Sequence, residues 1–400
     1  MPDFPPLTPR ERIAGFKRRL GFERAQRAWI RRRLADLASI PTSSTTPFPR
    51  VPHVVVVPQE GRSFESFRPG TRNFYFEAWR SLAEVIGEDR VTVFDVEPGE
   101  DTDSWHQRLL ETVRQVGATH IIAHIEADPG SEGATWTWDS AWALLSRNWD
   151  GVLLGVMFDS AFEWIAAKSR LLAAISPRYL VVDICMPMDG SMKRGRLEVG
   201  PVNMPVSRES LALIDARLMN VSPTCDVSFI GLMYPYRMNL VDRLRANGVT
   251  VAINPHRAHE AAHDAGSRVN QPSWLDYMAG LASSRMTLNF SQSSAGRFEQ
   301  LKTRVLEATL AGTLLLTDDL DRTRRFWVPG EEYVYFRDVA SLPRVISDLL
   351  ADPDRVRRIA AAGERKARAL AHTNFWGGVD DGLRRRGLPL TGFSESVAKG

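Results

Sequence analysis

Short, continuous apolar runs alternate along this chain with stretches whose apolar residues recur every three or four positions. His53 to Val57, Val91 to Phe94, Ile121 to His124, Val152 to Met157 and Tyr179 to Val182 have strand length and hydrophobicity. Between them Tyr75 to Ile86, Ser104 to Val116, Trp138 to Asn148 and Ala161 to Ala174 carry the helical period. Such alternation predicts a parallel sheet covered by helices on both faces. Asp189 to Pro205, with scattered glycine and proline and no clear period, reads as the connection that ends one domain. The alternation then restarts with strands at Val227 to Ile230, Val249 to Ile253, Met286 to Phe290, Leu314 to Thr317 and Tyr333 to Phe336. Helices are expected at Met238 to Ala246, from the Ser273/Asp276 cap to Ser284, at about Leu301 to Ala311, near Ala340 to Leu350, and from Asp352-Pro353 into Ala371. The fold class is α/β: two Rossmann-like, doubly wound domains, 51–205 and 206–376, with a tail at 377–400.

Ahead of them lies a basic arm, residues 1–50, with 11 Lys and Arg against 4 Asp and Glu. Thr8-Pro9-Arg10-Glu11 has the capping threonine, first-turn proline and third-position glutamate of a helix start. Ile13, Phe16, Leu20, Trp29, Ile30, Leu34 and Leu37 follow at helical spacing until the linker Pro41 to Pro47; Gly15 and Gly21 allow two helices. Packing on the body, or on a second copy in a homo-oligomer, is one use of such an arm. Peripheral contact with an anionic membrane face is the other. The remaining 350 residues hold 40 basic and 44 acidic side chains, so there is no broad basic face for nucleic acid. No apolar run is long enough to cross a bilayer, and Met1 to Arg12 lacks the apolar core of an export signal. A cytoplasmic protein is expected, at the inner membrane face if the arm adheres there. Cys185 and Cys225 lack metal-ligand spacing.

Candidate chemistry concentrates in Ser291 to Asp319. Glu299 and Glu307 stand with seven residues between them, and Lys302 and Arg304 fall in that interval. A helix beginning beside Glu299 would carry both cations in its first turn, where phosphates are favoured. Glu307, further along, would accept hydrogen bonds from sugar hydroxyls. A diphosphate beside a ribose describes a nucleotide-sugar donor. A second segment points the same way: Gly231 directly follows a buried strand, where backbone can approach a ligand, and Arg237 opens the next helix. Asp318-Asp319 reads as a turn rather than a metal-bridging pair, so no metal and no cofactor are expected. For a base at an acceptor hydroxyl the first domain offers Asp159, with His124 and Glu126 as alternatives. Trp138 and Trp142, four apart, share a helical face and read as core, whereas Phe326-Trp327 reads as part of a donor-side rim.

Four blocks occur in a telling order: Phe229-Ile-Gly with Arg237, LNFS at 288–291, KTRVLEATLAGTLLLTDD at 302–319 and PGEE at 329–332. Over residues 224–376 the chain resembles the CgeB-type, spore-maturation-like glycosyltransferases, within the wider family marked by E-x7-E. The resemblance implies glycosyltransferase-B architecture, two Rossmann-like domains facing across a cleft, with the donor held by the second. It would place Glu307 on the donor ribose, Arg237 with Lys302 or Arg304 on the diphosphate, and Glu299 near the donor sugar. The segment before Glu299 departs from the glycine and aromatic pattern common in E-x7-E enzymes.

The function expected is metal-independent transfer of a hexosyl group from a nucleotide-diphosphate sugar to a glycan or glycoconjugate. A catalytically silent nucleotide-sugar binding or scaffold protein, and a nucleotide-sugar epimerase on the same fold, remain as alternatives. Stereochemistry is open, with the resemblance leaning to retention.

Overall fold

A computed structural model describes residues 24–42, 51–59, 62, 66–97, 99–126, 137–158, 163–184, 196–199, 203–231, 233, 235–254, 273–291, 299–318, 323–372 and 374–390. The chain divides into two compact units. Unit 1 comprises Met1–Gly61, Arg90–Asp183 and Ser191–Leu197; unit 2 comprises Arg62–Asp89, Ile184–Gly190 and Glu198–Gly400.

The first sheet runs β2-β1-β3-β4-β5-β6, with β1 Val54–Val57, β2 Val91–Val93, β3 His120–His124, β4 Val152–Met157, β5 Tyr179–Asp183 and β6 Arg196–Glu198. Strands β1 to β5 pair in parallel. Helix α1 spans residues 24–36, followed by α2 Phe74–Ile86, α3 Thr102–Gln115, α4 Trp138–Asn148 and α5 Glu163–Ile175. Helix α3 starts two residues earlier than its apolar period suggests, because Asp101 caps it by accepting from the Ser104 amide at 3.0 Å. Trp138, Trp142 and Trp149 are core residues, and the last two satisfy their indole N–H groups on the Leu172 and Ala118 carbonyls. The expected helix start at Thr8 lies outside the described residues. Within unit 1, Arg33 of α1 pairs with buried Asp139 and donates to Ser140, so this part of the arm packs on the unit's own body. Its other side leaves Arg24, Arg31 and Arg32 exposed.

The second sheet runs β11-β10-β9-β7-β8, with β7 Cys225–Phe229, β8 Val251–Ile253, β9 Ser284–Asn289, β10 Leu314–Thr317 and β11 Val334–Tyr335. All of these pairings are parallel. Around it lie α6 Arg208–Leu218, α7 Pro235–Ala246, α8 Trp274–Ala282, α9 Arg304–Leu310, α10 Leu342–Leu350, α11 Pro353–Ala371 and α12 Asn374–Arg384. The α/β class expected from the alternation is what the chain adopts, with two parallel, doubly wound sheets. No helix among the described residues is long and apolar enough to cross a membrane.

Three features depart from the sequence expectation. The segment read as the connection that ends one domain contains β6, too short at three residues to show a period. Helix α12 runs beyond the boundary drawn at 376, burying Phe375, Val379 and Leu383 at four-residue spacing that glycines and aspartates obscure in the sequence. Arg62–Asp89, which precedes β2 in the chain, packs in unit 2. There Glu77 of α2 accepts from the Ser207 amide at 2.6 Å and from the Ser210 hydroxyl at the start of α6.

The PGEE turn is structural. Gly330, at φ 82°, donates its amide to the Tyr333 carbonyl at 2.7 Å. Glu332 accepts from the Val328 amide and from Lys366 of α11, both at 2.7 Å. Trp327 is buried beneath Lys366 rather than lining a rim. A Cβ on Gly363 of α11 would lie 2.5 Å from the Glu332 carbonyl oxygen, so only glycine lets the helix approach this turn. Gly363→Ala is therefore expected to lower unfolding free energy by about 1–3 kcal/mol, measured by urea denaturation; an unchanged midpoint would contradict this packing.

Candidate functional site

In an open, doubly wound sheet, the strands on either side of the order reversal leave a crevice beyond their carboxyl ends. In unit 2 the reversal lies between β7 and β9; Phe229 ends β7, and Ile230-Gly231 and Phe290-Ser291 follow directly on the two strands. Asn254, beyond β8, shapes the first of these loops. Its amide donates to the Phe229 carbonyl at 2.8 Å, and its side chain accepts from the Gly231 amide at 2.7 Å and donates to the Gly231 carbonyl at 3.3 Å. Gly231 is held at φ 141°, where a Cβ would be strained and would stand 3.1 Å from Arg304 Nη2. The backbone conformation itself favours glycine, and the Arg304 guanidinium lies against the bare backbone.

Two arginines share the Phe229 ring. Arg237, in the first turn of α7, has Cζ 5.1 Å from its centroid and 5.4 Å from that of Phe290. Arg304, the first residue of α9, has Cζ 5.3 Å from the Phe229 centroid. Cation–π contact with these rings helps hold both guanidinium groups at this edge. Buried polar atoms without a hydrogen-bond partner among the described residues cluster in the same stretch: Ser291 Oγ, Gln300 Nε2, Arg304 Nε and Glu307 Oε1. Orphan donors and acceptors of this kind call for an explanation, and a ligand supplies one.

Glu307, one turn after Arg304 on α9, is 1% exposed. Its Oε2 accepts from Tyr277 Oη at 2.9 Å, Arg72 Nη2 at 3.1 Å and Thr303 Oγ1 at 3.2 Å. Arg72 Nε lies 2.7 Å from Oε1, within ion-pair range but not aligned as a hydrogen bond. Arg72 also donates to Thr303 and stacks on Tyr277, its Cζ 5.0 Å from the ring centroid. Burial and the neighbouring carboxylate push the Tyr277 phenol up to about 12. Desolvation works against the Arg72 charge, but Glu307 and Tyr277 overcome it and hold the guanidinium above its ordinary pKa.

Thus Gly231, Arg237, Arg304 and Glu307 collect at one sheet edge or on the short helix beside it. Lys302 is placed differently: α9 starts at Arg304, so Lys302 precedes the helix instead of standing in its first turn, and Nζ donates to Gln300 Oε1 at 2.6 Å. At seven residues α9 is also shorter than expected, and side-chain cations rather than the helix end carry the positive charge. Glu299 is half-buried, just ahead of Gln300. Asp159 lies outside the described residues. Asp318 accepts from the Ser291 amide, 27 positions away in the loop after β9, so it ties two loops together, and Asp319 lies outside the described residues. Among the described residues, no three His, Cys, Asp or Glu side chains converge as a metal site. In unit 1, at the carboxyl end of β3, His124 Nε2 stands 3.4 Å from Glu126 Oε2, and Glu126 Oε1 accepts from the Phe158 amide at 2.8 Å. Arg72 and Tyr277 are the site residues not foreseen. The signal for Tyr277 was a tyrosine on the buried face of a well-capped helix; for Arg72 it was its place one residue before the α2 cap, Asn73.

Residues 237–375 match a family described as glycosyl transferase-like, a segment that includes Arg237, Arg304 and Glu307. No curated protein matches the chain. Among solved structures, sucrose-phosphate synthase from Thermosynechococcus elongatus aligns at 14% identity over 85% of this chain and 99% of its own, with a TM-score of 0.49. An alpha-glucosyltransferase bound to UDP and a 13-mer DNA aligns at 12% identity over 84% of this chain and 99% of its own, also at 0.49. HepE of Anabaena with UDP and glucose aligns at 12% over 84% and 99%, at 0.46. Likeness at this level says nothing of substrate.

Proposed function

We propose that unit 2 holds the nucleoside diphosphate of a nucleotide-sugar, and that the protein transfers the hexosyl group to a glycan or glycoconjugate acceptor without a metal. The observation that carries this is the pair of arginines on Phe229 at the strand-order reversal, beside buried polar atoms that lack a hydrogen-bond partner among the described residues. The departing diphosphate gains negative charge as the glycosidic bond breaks. Arg237 and Arg304 meet that charge from fixed positions, so little reorganisation is needed at the moment of reaction. Glu307 Oε1, faced by Arg72 Nε at 2.7 Å but accepting no aligned hydrogen bond among the described residues, is the oxygen a ribose hydroxyl would take. The glycosyl transferase-like match over 237–375 supports the same assignment.

Thermal-shift titration with UDP, GDP, dTDP, CDP and ADP tests it. One nucleoside diphosphate is expected to stabilise the protein, by about 2.7 kcal/mol at a hundredfold excess over Kd, with EDTA making no difference. The matching nucleotide-sugar should then be turned over. Absence of a shift with every nucleotide would remove the donor site; a shift abolished by EDTA would overturn metal independence. Binding without turnover, in the presence of varied acceptors, would leave a nucleotide-sugar binding protein.

A further inference from the structure

We propose that Arg72 is a positioning residue that covers Glu307 while the donor site is empty and moves to the diphosphate when ribose takes its place. This rests on the donor-site reading above. The guanidinium presents its side-on edge to Glu307: Nη2 donates to Oε2 and Nε faces Oε1 at 2.7 Å. That engages one edge of the planar fork and leaves Nη1 on the other, on a side chain that is 46% exposed. Glu307 is asymmetric in the complementary way. Oε2 already takes donors from Tyr277, Thr303 and Arg72, whereas Oε1 accepts no aligned hydrogen bond and is nevertheless buried.

A buried carboxylate without a counter-charge is costly, and here Arg72 supplies that charge to Glu307. The same contact closes the one carboxylate oxygen with spare acceptor capacity. A ribose hydroxyl reaches Oε1 only as the guanidinium withdraws. In a nucleoside diphosphate, the phosphates sit next to the ribose that displaces it, and Arg304 precedes Glu307 by three residues on the same helix face. The released cation therefore finds the ligand's own negative charge nearby. The side chain can pivot without disturbing an element, because Arg72 precedes the α2 cap and belongs to neither helix nor strand. Asn73, which accepts from the Tyr75 and Phe76 amides at 2.9 and 3.0 Å, fixes the backbone from which the side chain pivots.

A nucleoside alone must displace Arg72 with nothing offered in return, whereas the diphosphate takes up the displaced charge. Two ligands that draw on one group in this way are thermodynamically coupled, and the coupling is reciprocal. In the wild-type protein, inorganic pyrophosphate is expected to tighten uridine binding several-fold by holding Arg72 away from Glu307; the guanosine, thymidine, cytidine or adenosine pair replaces uridine and UDP if the nucleotide panel selects it. Arg72→Met should abolish this coupling. It should also tighten the nucleoside and weaken the nucleoside diphosphate, each by roughly tenfold, with opposite sign, a pattern that general loss of structure does not produce. Arg72→Lys, which retains charge without the fork, should release the nucleoside while keeping most of the diphosphate affinity. Isothermal titration of the full chain reads all three. Parallel weakening of both ligands in Arg72→Met, or no coupling with pyrophosphate in the wild type, would overturn the exchange and leave the donor site standing. If no nucleoside diphosphate binds the wild type, the donor site falls and the exchange with it.

Discussion

Glu307→Ala is expected to abolish the nucleotide-induced rise in melting temperature and to lower affinity for the nucleoside diphosphate on the order of 100-fold. Hydrogen bonds to a charged group contribute about 1.5–3 kcal/mol each, and every 1.4 kcal/mol is tenfold in affinity, so loss of the ribose acceptor alone reaches that magnitude. The same substitution also touches stability. Tyr277 is buried and its hydroxyl would lose the carboxylate it donates to at 2.9 Å. Loss of a hydrogen bond to a charged group costs about 1.5–3 kcal/mol. Arg72, half exposed, can rehydrate and adds less. Glu307→Gln separates the two effects. With its amide oxygen in the place of Oε2 it keeps an acceptor for Tyr277 and Thr303, while its amide NH2 faces the ribose position with a donor. The glutamine variant should therefore melt closer to wild type yet bind nucleotide about as poorly as the alanine variant. Wild-type affinity in either variant would remove Glu307 from the donor site.

What the chain disclosed in advance depended on how local the causes were. Strands such as Val152–Met157 and Leu314–Thr317 were legible because a strand buried on both faces is a continuous apolar run, and their bounds match to the residue. Gly231, Arg237, Arg304 and Glu307 were legible as well, since the strand-loop-helix rhythm alone brings sequential loops to one sheet edge. Arg72 could not be reached this way. It meets Glu307 across 235 positions of sequence, from a segment whose place in chain order lies between two strands of the other sheet. Periodicity reports which face of a helix is buried but not against what. Lys302 differs for the opposite reason: helix α9 starts two residues after it, at Arg304, and the hydroxyl of the intervening Thr303 is engaged with Glu307 and Arg72 rather than with a helix amide.

One residue carried a long-range signal that periodicity alone does not decode. Glu77 falls among Phe74, Tyr75, Phe76 and Ala78, on a stretch of α2 that is entirely buried. A carboxylate there requires partners, and it finds them in Ser207 and Ser210, the cap of α6. This contact fixes α2 within unit 2 and, through the α2 cap, the backbone of Arg72. The buried acid thus belongs to the support of the site although it touches no ligand.

Glu77 should also set a pH dependence of stability. Burial, partly offset by the Ser207 and Ser210 hydrogen bonds and helped by nearby Glu84, raises its pKa from an ordinary 4.5 to about 7. Between those values the folded chain binds a proton at Glu77 that the unfolded chain has released. Unfolding free energy therefore falls as pH rises through this window and is level above it, by about 3 kcal/mol in all at 1.36 kcal/mol per tenfold in proton affinity. Buried His106, lowered to about 4 chiefly by desolvation, acts with the opposite sign: the unfolded chain binds the extra proton between about 4 and 6.5, so its contribution rises with pH. The whole-protein profile mixes the two, and the comparison that isolates Glu77 is wild type against Glu77→Gln. The glutamine keeps an oxygen for the Ser207 amide and cannot ionise. It should gain on wild type as pH rises from 5 to 8, ending more stable by about 1–3 kcal/mol, read from denaturant midpoints at each pH. A difference that stays constant with pH would mean that Glu77 does not change its proton occupancy on folding, and that its serine contacts offset burial in full.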